Sequence, residues 1–112
     1  MKCTINNIGG VVVKEDDRYI VKDNTFLNNL ILSSTDLKPG KQTSGHRHVG
    51  QEEVYIFVSG KGSMIIDGDE YEQFAVKSGD VVLIPDGAFH QVINTGTGNL
   101  YFICVFDGNR NH

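Results

Sequence analysis

His46 and His48 sit two residues apart, and Glu52 and Glu53 follow them after Val49-Gly50-Gln51. Side chains two apart on a strand point to the same face. One short strand therefore offers two imidazoles side by side, and the next strand can bring a carboxylate against them. Imidazoles with a carboxylate are a usual ligand set for zinc or a first-row transition metal. A third histidine, His90, comes just after Pro85-Asp86-Gly87, a turn that opens another strand. A histidine on its own is most often an ordinary surface or core residue. Three of them in turn–strand contexts, with an acid nearby, favour a shared cation.

The segments that must position these side chains read as strands. Residues 11–13 and 19–21 form two short N-terminal strands, with a charged turn over 14–18 and a second turn over 23–25. Residues 26–32 have room for one helical turn. Residues 30–37 read as a strand closed by Lys38-Pro39-Gly40, where proline removes a ladder donor and glycine permits positive φ. A short strand then carries His46 and His48 to a turn at Val49-Gly50. Residues 53–58 are largely apolar on both faces, Glu53/Tyr55/Phe57 and Val54/Ile56/Val58. That predicts cover on each side, by the core on one and by the N-terminal segment or a second subunit on the other. After a turn over 59–62, residues 64–66 and 71–76 pair as a hairpin through Asp67-Gly68-Asp69. Residues 77–80 close it. Residues 81–84 read as a buried strand, 90–93 as the next and 100–106 as the last, following a polar turn over 94–99. Residues 107–112 read as a frayed tail. This succession of short strands predicts an all-β sandwich or barrel, with residues 1–112 forming one domain.

Two spacings carry a family resemblance. Gly40, five residues, His46, Arg47, His48, four residues, Glu53, six residues and Gly60 match G-x5-H-x-H-x(3,4)-E-x6-G. Gly79, Pro85, Gly87, His90 and Asn94 match G-x5-P-x-G-x2-H-x3-N. On these motifs, which span 40–94, the sequence resembles the cupins. The resemblance implies a double-stranded β-helix, or jelly-roll barrel, in which residues 1–29 are accessory strands. It also implies that His46, His48, Glu53 and His90 point into the barrel at one divalent metal. Only one of Glu52 and Glu53 can face the interior. The six-residue gap to Gly60 favours Glu53 and leaves Glu52 to solvent. Three neutral imidazoles and one carboxylate leave a divalent ion with a net charge of about +1 and free coordination positions. Fe, Mn, Ni, Zn and Cu all suit such mixed ligation, and free positions favour a catalytic over a structural ion.

Thr43-Ser44-Gly45-His46-Arg47-His48, with Glu53-Val54-Tyr55 and Gly60-Lys61-Gly62, is similar to the first motif of archaeal cupin-type glucose-6-phosphate isomerases. That similarity implies Thr43 and Gly45 as holders of a sugar phosphate. The expected activity is a metal-dependent isomerisation of a small sugar or sugar phosphate. The metal would chelate neighbouring carbonyl and hydroxyl oxygens, while Glu53 or Tyr55 moves a proton between adjacent carbons. The same ligands also suit an iron-dependent dioxygenase of a small molecule, or a non-catalytic sugar- or small-ligand-binding module. Tyr55, Phe57 and Val92 share strand parity with the ligand candidates, which places them inward as cavity lining or core. Phe89 and Gln91 face the other way. Arg47, between two candidates, reads as an outward surface charge.

Composition narrows the partners. The net charge of −4 comes with no basic stripe, which argues against nucleic acid and anionic membranes. Fractions of 39% hydrophobic and 21% charged residues are those of a soluble globular chain. The longest apolar run, residues 100–106, is far too short to span a bilayer, and the first residues show no apolar signal region. Two cysteines make no disulfide framework. Cys104 reads as a small core residue and Cys3 as part of a loose terminus. The expected setting is the cytoplasm, with a small-molecule substrate and a homodimeric assembly.

Overall fold

A computed structural model describes residues 1–109. The last part of the expected frayed tail, residues 110–112, lies outside the described residues. Nine strands form, and the described residues contain no helix. They are β1 (Val11–Glu15), β2 (Tyr19–Asn24), β3 (Leu30–Leu37), β4 (Glu53–Ser59), β5 (Lys61–Asp67), β6 (Tyr71–Lys77), β7 (Val81–Ile84), β8 (Phe89–Asn94) and β9 (Leu100–Asp107). Six of them make one antiparallel sheet in the order β1-β2-β3-β9-β4-β7, and three make a second in the order β6-β5-β8. The two sheets enclose the core of a jelly-roll, as the family resemblance implies.

Alternation sets which side chains fill the interior. Tyr55 and Phe57 of β4, Leu100 and Phe102 of β9, Met64 of β5 and Val92 of β8 are all buried. Tyr55 stacks on Phe102 at 5.3 Å between ring centroids, and Phe57 lies 5.2 Å from the same ring. Burying each such aromatic is worth roughly 2–3 kcal/mol. The pile forms a stiff floor beneath β8.

Several local expectations are corrected. Residues 14 and 15 belong to β1, so the turn is confined to 16–18. Asp23 and Asn24 belong to β2 and not to a turn, and Asp23 is buried. Residues 27–29 form bends, without the helical turn. Only Gly60 separates β4 from β5. There an added Cβ would meet the Asn99 carbonyl oxygen at 2.4 Å, and φ is +86°. Only glycine fits so tight a reversal. β7 is not buried throughout: Val82 and Ile84 face the core, while Val81 and Leu83 are 58% and 71% exposed. β4 is likewise covered on one face only, since Val54, Ile56 and Val58 are half-exposed.

The segment bearing His46 and His48 is not a regular strand. It runs antiparallel along β8 as an irregular fourth member of the smaller sheet, through isolated bridges Gln42↔Ile93 and His46↔His90. Thr43 N donates to Val92 O at 2.9 Å, and His46 and His90 exchange reciprocal backbone hydrogen bonds of 3.1 and 3.0 Å. Three steps from Thr43 to His46 match two steps from Val92 to His90. The surplus residue is accommodated by Gly45 at φ +73°, the conformation that a bulge assigns to glycine.

Candidate metal centre

His46 and His90 are a hydrogen-bonded antiparallel pair, so their side chains leave the sheet on the same face. Their ring centroids are 4.6 Å apart. Glu53 opens β4 and is 4% exposed, and its Oε2 lies 2.7 Å from His90 Nε2. One potential ligand atom from each of His46, Glu53 and His90 falls within 4.8 Å of the others. Metal–ligand bonds near 2.1 Å place ligand atoms about 3–4 Å apart, so little adjustment separates this arrangement from a coordination sphere. His48 flanks the three and is not part of that group. Its ring centroid is 4.5 Å from that of His46 and 6.2 Å from that of His90. The His48 carbonyl accepts from Gln51 N and Gly87 N, which anchors the turn that follows.

The hydrogen bonding of His90 decides which of its nitrogens faces the centre. Nδ1 lies 3.1 Å from the Ala88 carbonyl oxygen. A carbonyl only accepts, so Nδ1 carries the proton, and Nε2 presents its lone pair. That nitrogen meets the Glu53 carboxylate at 2.7 Å, and both side chains are buried. Two electron-rich atoms buried together at that distance require a cation or a proton between them. A divalent metal fits, and the Ala88 carbonyl then has the orienting role that metal-ligating histidines ordinarily need.

His46 and Glu53 border a cavity of about 300 Å3, with His90 buried behind them, at the small end of the range for small-molecule sites. Thr43, Gly45, His46, His48, Glu53 and Tyr55 all line it. Tyr55 packs edge-on to His90 at 5.6 Å. Phe57 and Val92 are core residues outside the cavity wall. Glu52 and Arg47 are exposed. The Thr43 hydroxyl oxygen accepts from Val92 N at 3.0 Å, which leaves its O–H proton to donate. A Cβ at Gly45 would lie 2.6 Å from the Phe89 ring.

Sequence reading missed the opposite wall. Tyr19 and Val21 of β2, Ser33 and Thr35 of β3 and Cys104 of β9 also line the cavity. In β3 the signal was present: Ser33 and Thr35 occupy the inward positions between Ile31 and Leu37, and polar residues at inward positions mark a wet interior. Cys104 is buried as expected, but within the cavity wall.

Comparison with known proteins agrees with this fold. Bacillus subtilis oxalate decarboxylase, a protein described with Mn(II) centres, superposes with a TM-score of 0.80 at 22% identity over 90% of this chain and 28% of the other. An uncharacterized protein of Methanocaldococcus jannaschii is 30% identical over 97 residues, 77% of this chain and 75% of that protein. Glucose-6-phosphate isomerase of Pyrococcus horikoshii is 31% identical over 104 residues, 84% of this chain but 55% of the isomerase. An oxalate-binding protein of Thermotoga maritima is 33% identical over 69 residues, 62% of this chain and 54% of that protein. The chain thus spans little more than half the length of the isomerase and of the oxalate-binding protein. The cupin domain pattern matches residues 33–106, the stretch from β3 to β9 that holds His46, His48, Glu53 and His90, and the chain belongs to the cupin family.

Proposed function

We propose that the protein holds one divalent transition metal through His46, His48, Glu53 and His90, and that it is an enzyme acting on a small sugar or sugar phosphate by isomerase-type proton transfer. The observation that carries this reading is the convergence of His46, Glu53 and His90, two of which, His46 and Glu53, line a cavity that also presents Tyr55 and Thr43. The likeness to glucose-6-phosphate isomerases supports the substrate class. A bound cation would supply electrostatic stabilisation of negative charge growing on substrate oxygens. The remaining work falls to the chain's own groups. Thr43 donates its hydroxyl proton to the anionic end, and Gly45 lines the cavity beside it. Glu53 or Tyr55 moves the proton between neighbouring carbons. The aromatic floor beneath His90 excludes water.

The test is aldose–ketose exchange of glucose 6-phosphate and related sugar phosphates in deuterated water, using metal-loaded protein and Glu53→Gln. Deuterium incorporation by the wild type alone is the expected result, and none from any substrate ends the isomerase reading. A second reading rests on the oxalate-binding relative: a non-catalytic binder of a small dicarboxylate, shown by tight oxalate binding without turnover. No disulfide joins exposed Cys3 to buried Cys104 among the described residues, which supports a reducing, cytoplasmic setting. The half-exposed outer face of β4 supports a homodimer.

A further inference from the structure

We propose that Lys14 receives the anionic end of the substrate, and that a bulge in β1 aims it there. This rests on the cavity being the substrate site. β1 pairs with β2 through Val11↔Asp23 and Val12↔Lys22, and then through Lys14↔Val21 and Glu15↔Ile20. Two steps along β1 answer one step along β2, so Val13 is the surplus residue. Directly opposed side chains share a face. Val21 lines the cavity with Tyr19, so Lys14, opposite Val21, faces the cavity and is one of its lining residues. In a regular ladder Lys14 would oppose Ile20 and point to the outer side, because a one-residue slip reverses every side chain. Re-aiming a side chain at a site is a recurring use of bulges. All five residues of β1 are exposed, so burial of β1 does not dictate the inward turn of Lys14.

The surrounding charges are already matched. The Arg18 guanidinium is committed to Asp16 at 2.8 Å, to the Ser44 hydroxyl at 2.8 Å and to the Tyr19 hydroxyl at 3.0 Å. Lys41 lies 3.8 Å from Asp17. Among the described residues no acid lies within ion-pair distance of Lys14, and it is the one cation in the cavity wall besides the histidines. Glu53 and this ammonium line the cavity from β4 and β1, strands of one sheet with β2, β3 and β9 between them. The matching ligand is a small molecule with oxygen donors at one end and a single carboxylate or phosphate at the other. An ammonium is a point charge without a planar fork, so it accepts either anion.

The test measures binding of inorganic phosphate, oxalate and glucose 6-phosphate to the Mn(II)-loaded full chain by calorimetry, for wild type, Lys14→Met, Lys14→Arg and a Val13 deletion. Lys14→Met should weaken the anions that bind by about tenfold, and Lys14→Arg should restore most of the loss. The deletion, which returns Lys14 to the outer side, should match Lys14→Met. Salt at 300 mM should shrink the difference. Melting temperature and Mn(II) affinity of Lys14→Met should equal those of the wild type. Unchanged anion affinity in Lys14→Met, no anion bound by the wild type, or a parallel loss of Mn(II) would each overturn the assignment. Anion binding through Lys14 without deuterium exchange keeps the assignment and removes the isomerase alone.

Discussion

His90 shows how one backbone contact prepares a side chain for chemistry. The Ala88 carbonyl holds the Nδ1 proton, and Nε2 is thereby aimed at Glu53. Glu53→Gln keeps the volume of the side chain but removes the charge that completes the ligand set. Mn(II) affinity should fall at least about a hundredfold, read by calorimetry or by metal content after dialysis. Retention of wild-type affinity would take Glu53 out of the centre. Asn94 belongs to the second motif yet never approaches the metal candidates. Its Nδ2 donates to the Leu37 and Gly98 carbonyl oxygens at 2.9 Å each, and its Oδ1 accepts from Gly96 N. It is 1% exposed. Asn94→Ala strands those buried backbone groups, at a cost of about 2 kcal/mol. In a chain of this size that lowers the melting temperature by roughly 8–15 °C, with Mn(II) affinity in the folded protein unchanged.

Elements carry these residues to their places, and their limits explain what could be read beforehand. Strand ends marked by Pro39, Gly79 and Pro85 were legible because those residues stop a ladder or permit its reversal. The inward turn of Glu53 was legible because alternation within β4 puts it on the same face as Tyr55 and Phe57. The inward turn of Lys14 was not, since it depends on a register chosen with β2 and leaves no local mark in Val-Val-Val-Lys. Val81–Ile84 looked buried because four apolar residues in a row do not reveal whether a second layer covers them. The loop before His46 depends on Gly45. Gly45→Ala forces an unfavourable positive φ and a collision with Phe89, costing about 1–2 kcal/mol and moving the imidazole of His46. Weaker Mn(II) binding alongside a lower melting temperature is the expected pair of readings. The β1–β2 turn is tied to the same loop by the Arg18 hydrogen bond to Ser44. Hydrogen bonds from Arg18 hold the Asp16 carboxyl at about 2, below its ordinary 3.8. A depressed carboxylate contributes fully above its unfolded pKa and loses that contribution as pH falls through the folded one. The Arg18 clamp should therefore persist from neutral pH to about pH 4 and be lost towards pH 2. The Arg18 side-chain N–H resonance reports this, and Asp16→Asn should release it already at pH 7.

At the scale of the whole molecule, the outer face of the larger sheet is the feature that the single chain leaves unfinished. Leu32, Val105, Val54 and Leu83 form one cross-strand row over β3-β9-β4-β7, and Ile56 and Val81 lie in the next row beside Ile103, which is already buried. Four strands about 4.8 Å apart, two or three residues deep, cover on the order of 300 Å2. A stable interface needs about 800 Å2 from each partner, so the rows alone fall short. The deficit is reduced by an apolar groove that shares Leu32 and continues through Leu30, Leu27, Phe26 and Met1, residues that are likewise exposed apart from the half-buried Leu32. A second copy meeting this combined surface would cover Leu83 and Val81, which otherwise place two large aliphatic groups in water at the sheet edge. Light scattering on the wild type should then give twice the 12.4 kDa chain mass at micromolar concentration. Leu83→Glu with Val81→Glu should give the single-chain mass with an unchanged circular dichroism spectrum, because neither side chain supports the core of its own subunit. The His46, Glu53 and His90 group lies on the inner side of the same sheet. The separated chains should therefore bind Mn(II) as the pair does, and a loss of metal on separation would show that the interface, and not the chain alone, holds β4 in register.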